Sequence, residues 1–109
     1  MPRLTDEEFN PKIRGFLLEC SSGWYPLIND LANSLDEIDL NWEPLQIKEK
    51  FGTLRFYWGN EFSAEDAKKA NALVDAAERR SSEICEICGN SGRIRRGSWW
   101  KTLCDDHTK

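Results

Sequence analysis

The chain has no long hydrophobic run, no excess of positive charge and almost no histidine. Nothing in it approaches the roughly 20 consecutive apolar residues of a membrane-spanning helix. Its opening, Met1-Pro2-Arg3-Leu4-Thr5-Asp6-Glu7-Glu8, lacks an apolar h-region, so no secretory signal is expected and a reducing cytoplasm is. Fifteen Lys and Arg against nineteen Asp and Glu leave a net charge of -4, so the whole-molecule basic field of many nucleic-acid binders is absent. That acid excess is also too small to suggest a nucleic-acid mimic. There is one His, no Gly-rich phosphate loop, no nucleophile elbow, no His-Glu-x-x-His and no paired-carboxylate constellation. An enzyme is not expected.

What is present supports a modest core. Apolar residues make up 39% of the 109, with five Trp among them, enough for one folded domain. The clearest feature is near the end. Cys85-Glu86-Ile87-Cys88-Gly89 and Leu103-Cys104-Asp105-Asp106-His107 form a C-x2-C and a C-x2-H pair, separated by one short hairpin's length. Two intervening residues let a tight turn aim both side chains at one point, and the hairpin returns the chain with the second pair. Three thiolates and an imidazole, Cys85, Cys88, Cys104 and His107, are the closed tetrahedral set of one structural Zn2+. Disulfides are disfavoured by the expected compartment, and a thioredoxin-like redox pair by the second ligand pair. Asp105 or Asp106 could substitute as the fourth ligand, but the better reading is that they back up the ligands or face water. Ligation leaves His107 unavailable as a general base, and four protein ligands leave no open position for a metal-bound water.

Elsewhere, hydrophobic spacing suggests the elements. Asn10 can cap a helix whose first position is Pro11, with Ile13, Phe16, Leu17 and Cys20 on one face, giving a first helix over 5–21. A second runs from Trp24 to Ile38, with Leu27, Ile28, Leu31, Leu35 and Ile38 inward and Asn29, Asp30, Asn33, Asp36 and Glu37 toward water. Residues 39–44 read as a loop. Alternation then begins: Leu45 and Ile47, and Leu54, Phe56 and Trp58, flank Lys50-Phe51-Gly52 as a β-hairpin with one apolar face. Ser63 caps a third helix over 64–81, with a small-residue stripe. The expected fold is α+β: two N-terminal helices, a β-hairpin, a third helix and a C-terminal zinc-binding β-hairpin. It divides into a body, 1–81, and a zinc segment, 82–109, packed on the third helix.

Between the ligand pairs lie Arg93, Arg95, Arg96, Trp99, Trp100 and Lys101. With Gly97-Ser98 as a two-residue turn, residues 93–96 and 99–103 are its strands, and one of the adjacent Trp faces inward. Two readings stand: a contact surface for another protein or nucleic acid, or a zinc-covering Trp with a solvated charged edge. Arg55 and Tyr57, on the outer strand face, are a second candidate surface. Cys20 reads as a buried small hydrophobe, with a reactive thiol as the alternative.

Together, Gly23-Trp24 with Leu27-Ile28 and Leu31, the run Ile47-Lys48-Glu49-Lys50-Phe51-Gly52-Thr53-Leu54-Arg55-Phe56-Tyr57, Glu78 and Ser81, and the two ligand motifs resemble a group of small uncharacterised zinc-site proteins of bacteria and phages. That resemblance covers residues 23–107 and implies zinc and a bacterial or phage cytoplasm, but no activity. The expectation is a non-enzymatic protein that binds another protein, such as an inhibitor or antitoxin-like factor of a mobile element. A nucleic-acid-binding zinc module is the alternative. No membrane association is expected.

Overall fold

The computed structural model describes residues 8–108. The described residues open with one tight turn, not a helix. The Asn10 Oδ1 accepts from the Lys12 N–H at 2.9 Å, and its carbonyl accepts from Ile13 and Arg14 at 2.8 and 2.9 Å. The coil stops at Gly15, whose φ of 79° is left-handed and ends a helical path. Leu18–Glu19 then forms β1, lying parallel to Ile47–Lys48. The first of the two expected N-terminal helices is thus replaced by a turn and a short edge strand over 8–21. Residues 5–7 of that expectation lie outside the described residues.

The reason is that the residues read as a helical stripe do not share one buried face. Ile13 is buried, but Leu17 is 72% exposed. Asn10 is spent on tertiary bonds: its N–H donates to Asn29 Oδ1 at 2.6 Å, and its Nδ2 to Asn33 Oδ1 and Asp36 Oδ2 at 2.9 and 2.7 Å. Asn29, expected to face water, is buried to receive this turn.

After a 3₁₀ turn over Ser22–Trp24 comes α1, Tyr25–Ile38, with Pro26 in its first turn, where the missing N–H costs nothing. Leu27, Ile28, Leu31 and Leu35 form its buried stripe as their spacing predicts. Strands β2, Trp42–Lys50, and β3, Thr53–Asn60, make the expected antiparallel hairpin. The segment read as a loop therefore already belongs to β2 from Trp42. A register shift between Pro44 and Gln46 turns Leu45 out to 59% exposure, while Ile47, Leu54 and Phe56 stay on the buried face.

Helix α2, Ala64–Ser81, is capped by the Ser63 hydroxyl, which accepts from the Asp66 N–H at 3.2 Å. Its buried Ala70, Val74 and Ala77 let it approach closely, and it packs on both α1 and β3. It also closes the free edge of β3. The N–H of Leu54 donates to Ser81 Oγ and that of Phe56 to Glu78 Oε2, each at 2.9 Å. An edge strand satisfied by helix side chains offers no row of open donors to another strand. Strands β4, Arg93–Arg95, and β5, Lys101–Leu103, form a separate ribbon. Among the described residues there are two helices and five strands in two sheets, an α+β fold. No helix among them is long and apolar enough to cross a membrane.

Candidate metal centre

The four expected ligands converge. After α2 the chain turns back on itself, with the Cys85 N–H donating to Asn90 O at 2.7 Å and the Gly89 N–H to Cys85 O at 2.8 Å. Gly89 takes a φ of 84°, so this knuckle needs a residue without a Cβ. The β4–β5 ribbon returns the chain to Cys104. A 3₁₀ turn over Asp105–His107 then folds the imidazole back, the backbone N–H of His107 donating to Cys104 O at 3.2 Å. The ligand atoms of Cys85, Cys88, Cys104 and His107 all lie within 4.8 Å of one another.

These separations can be tested against a metal. Metal–sulfur bonds of about 2.3 Å in a tetrahedron place neighbouring sulfurs about 3.8 Å apart. Cys88 Sγ lies 3.7 Å from Cys104 Sγ, and His107 Nδ1 lies 3.7 Å from Cys85 Sγ and 3.1 Å from Cys104 Sγ. The four residues fit a single ion. Burial alone would raise the Cys85 thiol, but backbone N–H groups of Cys104, Cys88 and Ile87 aimed at its sulfur bring it down to about 6. A thiol so placed is ready to ligate as thiolate. Asp105 is engaged elsewhere: Arg95 Nη2 donates to its Oδ1 at 2.8 Å, and Arg95 Nε to Leu103 O at 3.2 Å. That pair holds the Asp105 carboxyl below the usual range.

The segment carrying this centre docks chiefly on the β2–β3 turn and on Gly23-Trp24. The Gly23 N–H donates to Glu86 O at 2.7 Å, and a Cβ there would collide with the carbonyls of Cys85 and Glu86. Trp24 Nε1 donates to Ile84 O at 2.8 Å, and Thr102 Oγ1 to Gly52 O at 2.6 Å. Lys101 Nζ bridges Glu49 and Glu86 at 3.1 and 3.3 Å, while Glu86 also accepts from the Ser21 N–H at 2.9 Å. Glu86, only 2% exposed, is thus a buried carboxylate with its partners supplied.

The ribbon differs from its expected register by one residue. Arg95 pairs with Lys101, whereas a two-residue Gly97-Ser98 turn would pair Arg96 with Trp99. Residues 96–100 are consequently a loop. Neither Trp faces inward: Trp99 is 75% and Trp100 43% exposed. Both line an open cleft of about 920 Å³ with Phe51, Ile94 and Arg55, which brings one residue of the second candidate surface to the two Trp of the first. Arg96 stands over the Trp100 ring at 5.1 Å, Arg93 is exposed, and Lys101 lies inside the docking contact. Tyr57 is exposed farther along the outer strand face, with Lys48 over its ring at 5.8 Å. Cys20 follows β1 in place of the expected helix. Burial, then the charges of Glu86 and Glu49, push its thiol up to about 12, the behaviour of a packed hydrophobe.

Sequence reasoning missed Phe51, Ile94, Glu49 and Glu86. A signal existed for Phe51: it occupies a two-residue turn position that favours Asn or Gly, and it takes a φ of 54°. An exposed aromatic held at such a position points to a role beyond the turn. No protein-family model, curated protein or solved structure matches this chain.

Proposed function

We propose that this chain is a non-enzymatic interaction protein, stabilised by one structural Zn2+ and acting by binding another protein. The observation that carries the reading is the cleft between the β2–β3 turn and the ribbon loop, where Phe51, Trp99 and Trp100 stand exposed around one space. Large aromatic side chains gathered beside arginine are the usual anchors of protein interfaces. The metal's part is to hold the ribbon. Three thiolates and one imidazole suit zinc, and with all four positions taken the ion is structural. The motif resemblance supports a bacterial or phage cytoplasm; an inhibitor- or antitoxin-like role for a mobile element is our reading of a binding protein in that setting, not something the resemblance carries.

The alternative, a nucleic-acid module, draws on the same aromatics as stacking platforms. It is weakened because two of the ribbon's cations are already used, Arg95 by Asp105 and Lys101 by Glu49 and Glu86. The test compares the full chain with a Phe51→Ala, Trp99→Ala double variant. A protein captured from bacterial lysate by the first and not the second, then titrated as the purified pair, supports the reading. Retention on heparin that falls steeply with salt and survives in the double variant sinks it.

A further inference from the structure

We propose that this cleft recognises a peptide segment in which a carboxylate stands beside an apolar side chain, and that Arg55 receives the carboxylate. The inference rests on the protein-binding reading above and specifies the partner's chemistry. Three other half-buried cations hold carboxylates: Lys12 holds Asp36 at 3.3 Å, Arg95 holds Asp105 at 2.8 Å, and Lys101 holds two, while Lys48 rests over the Tyr57 ring at 5.8 Å. Arg55 is half-buried too, yet its side chain has no acceptor among the described residues, and its Nε is buried without a partner. Its Nε is buried out of a ligand's reach, but its terminal Nη groups are neither buried nor bonded, and a guanidinium left so on the wall of a cleft is a place for an incoming acceptor. Its planar fork matches a carboxylate in two parallel bonds.

The surroundings set the sign of the ligand. Glu49, which also lines the cleft, accepts from the Gly52 N–H at 2.8 Å and is bound to Lys101, whose one charge it shares with Glu86, so it is held by its own partners and makes no ion pair with Arg55. Asp75, Glu78 and Glu83 border the groove on the other side of Arg55 without forming an ion pair with it. Arg96, over Trp100, adds a second positive charge at the rim. Aromatic rings alone would attract a cation such as a methylated ammonium, but two guanidinium groups repel one. A strand of nucleic acid needs a file of cations along its backbone, whereas among the described residues the cleft has Arg55 on its wall and, at separate points of its rim, Arg96 over Trp100 and Lys50 over Phe51 at 5.6 Å. An apolar floor with two positive walls fits an acidic, apolar peptide.

The experiment is a selection from a random linear peptide library on the zinc-loaded full chain. The best binder and its amide twin, with Asn or Gln for each Asp or Glu, are then titrated by fluorescence anisotropy. Enriched peptides are expected to carry Asp or Glu next to Leu, Ile, Phe or Trp, and the amide twin to bind about tenfold or more weakly, as for a lost charge-assisted pair. Arg55→Gln should bind both twins alike at the weaker level, Arg55→Lys should keep part of the preference, and Trp99→Ala should lose both. If Arg55→Gln melts below the wild type, Arg55→Lys carries the comparison. Enriched peptides without a carboxylate, or an acid-over-amide ratio that survives in Arg55→Gln, overturn the role of Arg55 and leave protein binding standing. A selection that enriches nothing, or oligothymidine binding that falls steeply with salt in its place, overturns the protein-binding reading as well.

Discussion

The body and the C-terminal segment are held by different forces. In the body, Trp24, Ile28, Leu35, Ile47 and Leu54 are completely or almost completely buried against one another in one apolar cluster. In residues 82–108 the best-buried side chains are Cys85, Glu86 and Thr102, so that segment has no apolar core of its own. It is held by the Thr102–Gly52 bond and by Lys101 between two carboxylates, and its four convergent side chains are placed to hold one metal ion. A segment too small to bury enough surface needs a metal or a covalent staple. Apolar burial is spread over many contacts and tolerates loss of one. A metal centre and a polar clamp concentrate stability in a few atoms, which also fixes the ribbon loop against the β2–β3 turn and so shapes the cleft.

The largest effect separates the two regions outright. Structural zinc in small modules is worth on the order of 10 kcal/mol, comparable to a whole domain's stability. Purified protein is expected to carry one zinc per chain, and Cys85→Ser, Cys88→Ser or Cys104→Ser to lose it. Chelation should melt residues 82–108 while α1, β2, β3 and α2 stay folded, which hydrogen exchange read residue by residue will show. Natively purified, reduced protein without zinc by elemental analysis would sink the metal assignment. Loss of the whole fold on chelation would erase the contrast between the regions.

Next comes the apolar core. Leu54→Ala and Phe56→Ala should each destabilise by about 2–5 kcal/mol in denaturant melts, as large-to-small core changes do. Arg55→Ala and Tyr57→Ala, on the opposite face, should cost less. The reverse order would mean that β3 is turned by one residue.

The polar clamp follows. Lys101→Met leaves Glu86 buried beside Glu49 without its cation, which should cost about 3 kcal/mol, the low end for a broken buried pair because Lys101 is itself one-third exposed. Adding Glu86→Gln should recover part of that loss, since it removes the stranded charge. Additive losses in the two single variants and the double would show that the three charges do not act as a unit.

A smaller effect tests where the body itself relies on polar contacts. Burial tends to raise the Asp36 carboxyl, but bonds from Asn10, Trp42 and Lys12 outweigh it and hold the carboxyl below its ordinary value. A folded value depressed below the unfolded one gives stability that is complete above the unfolded pKa, about 3.9, and lost as pH falls through the folded value. Asp36→Asn should cost about 1 kcal/mol at neutral pH, and the gap from wild type should close in melts below about pH 4. A gap that does not change with pH would remove the ionised carboxylate from the account.

Periodicity made α1, α2 and the β2–β3 hairpin legible, because each buries a single face whose spacing survives in the chain. Ligand spacing did the same for Cys85, Cys88, Cys104 and His107. The N-terminal turn was not legible: Asn10 and Pro11 mark the start of one helical turn as well as of a long helix, and the stop at Gly15 came too early to leave a pattern. The bulge that exposes Leu45 and the register of the ribbon are set by tertiary contacts, Thr102 on Gly52 above all, which no local rule contains. For the same reason the cleft was invisible. Its parts, Phe51, Arg55, Ile94 and the two Trp, are scattered along the chain, and only docking of the zinc segment assembles them.

The smallest expected change in stability is at Trp99. With 75% of its surface open, it buries little, and Trp99→Ala should shift stability by no more than about 0.5 kcal/mol. Burial of a tryptophan is costly to lose only where there is burial, so a Trp kept this open is not there for the fold. The same substitution should weaken binding of the partner, or of the selected acidic peptide, by about 2 kcal/mol or more, as loss of an aromatic anchor does. Trp100→Ala, with Arg96 resting on its ring, should behave alike but less cleanly, because the rim charge loses its seat as well. Thermal melts and titrations of the two variants, made on zinc-loaded protein, separate stability from binding. A Trp99→Ala protein that melts well below the wild type would make the ribbon loop part of the structural clamp. One that binds as tightly as the wild type would move the working surface to the outer face of β3 around Tyr57.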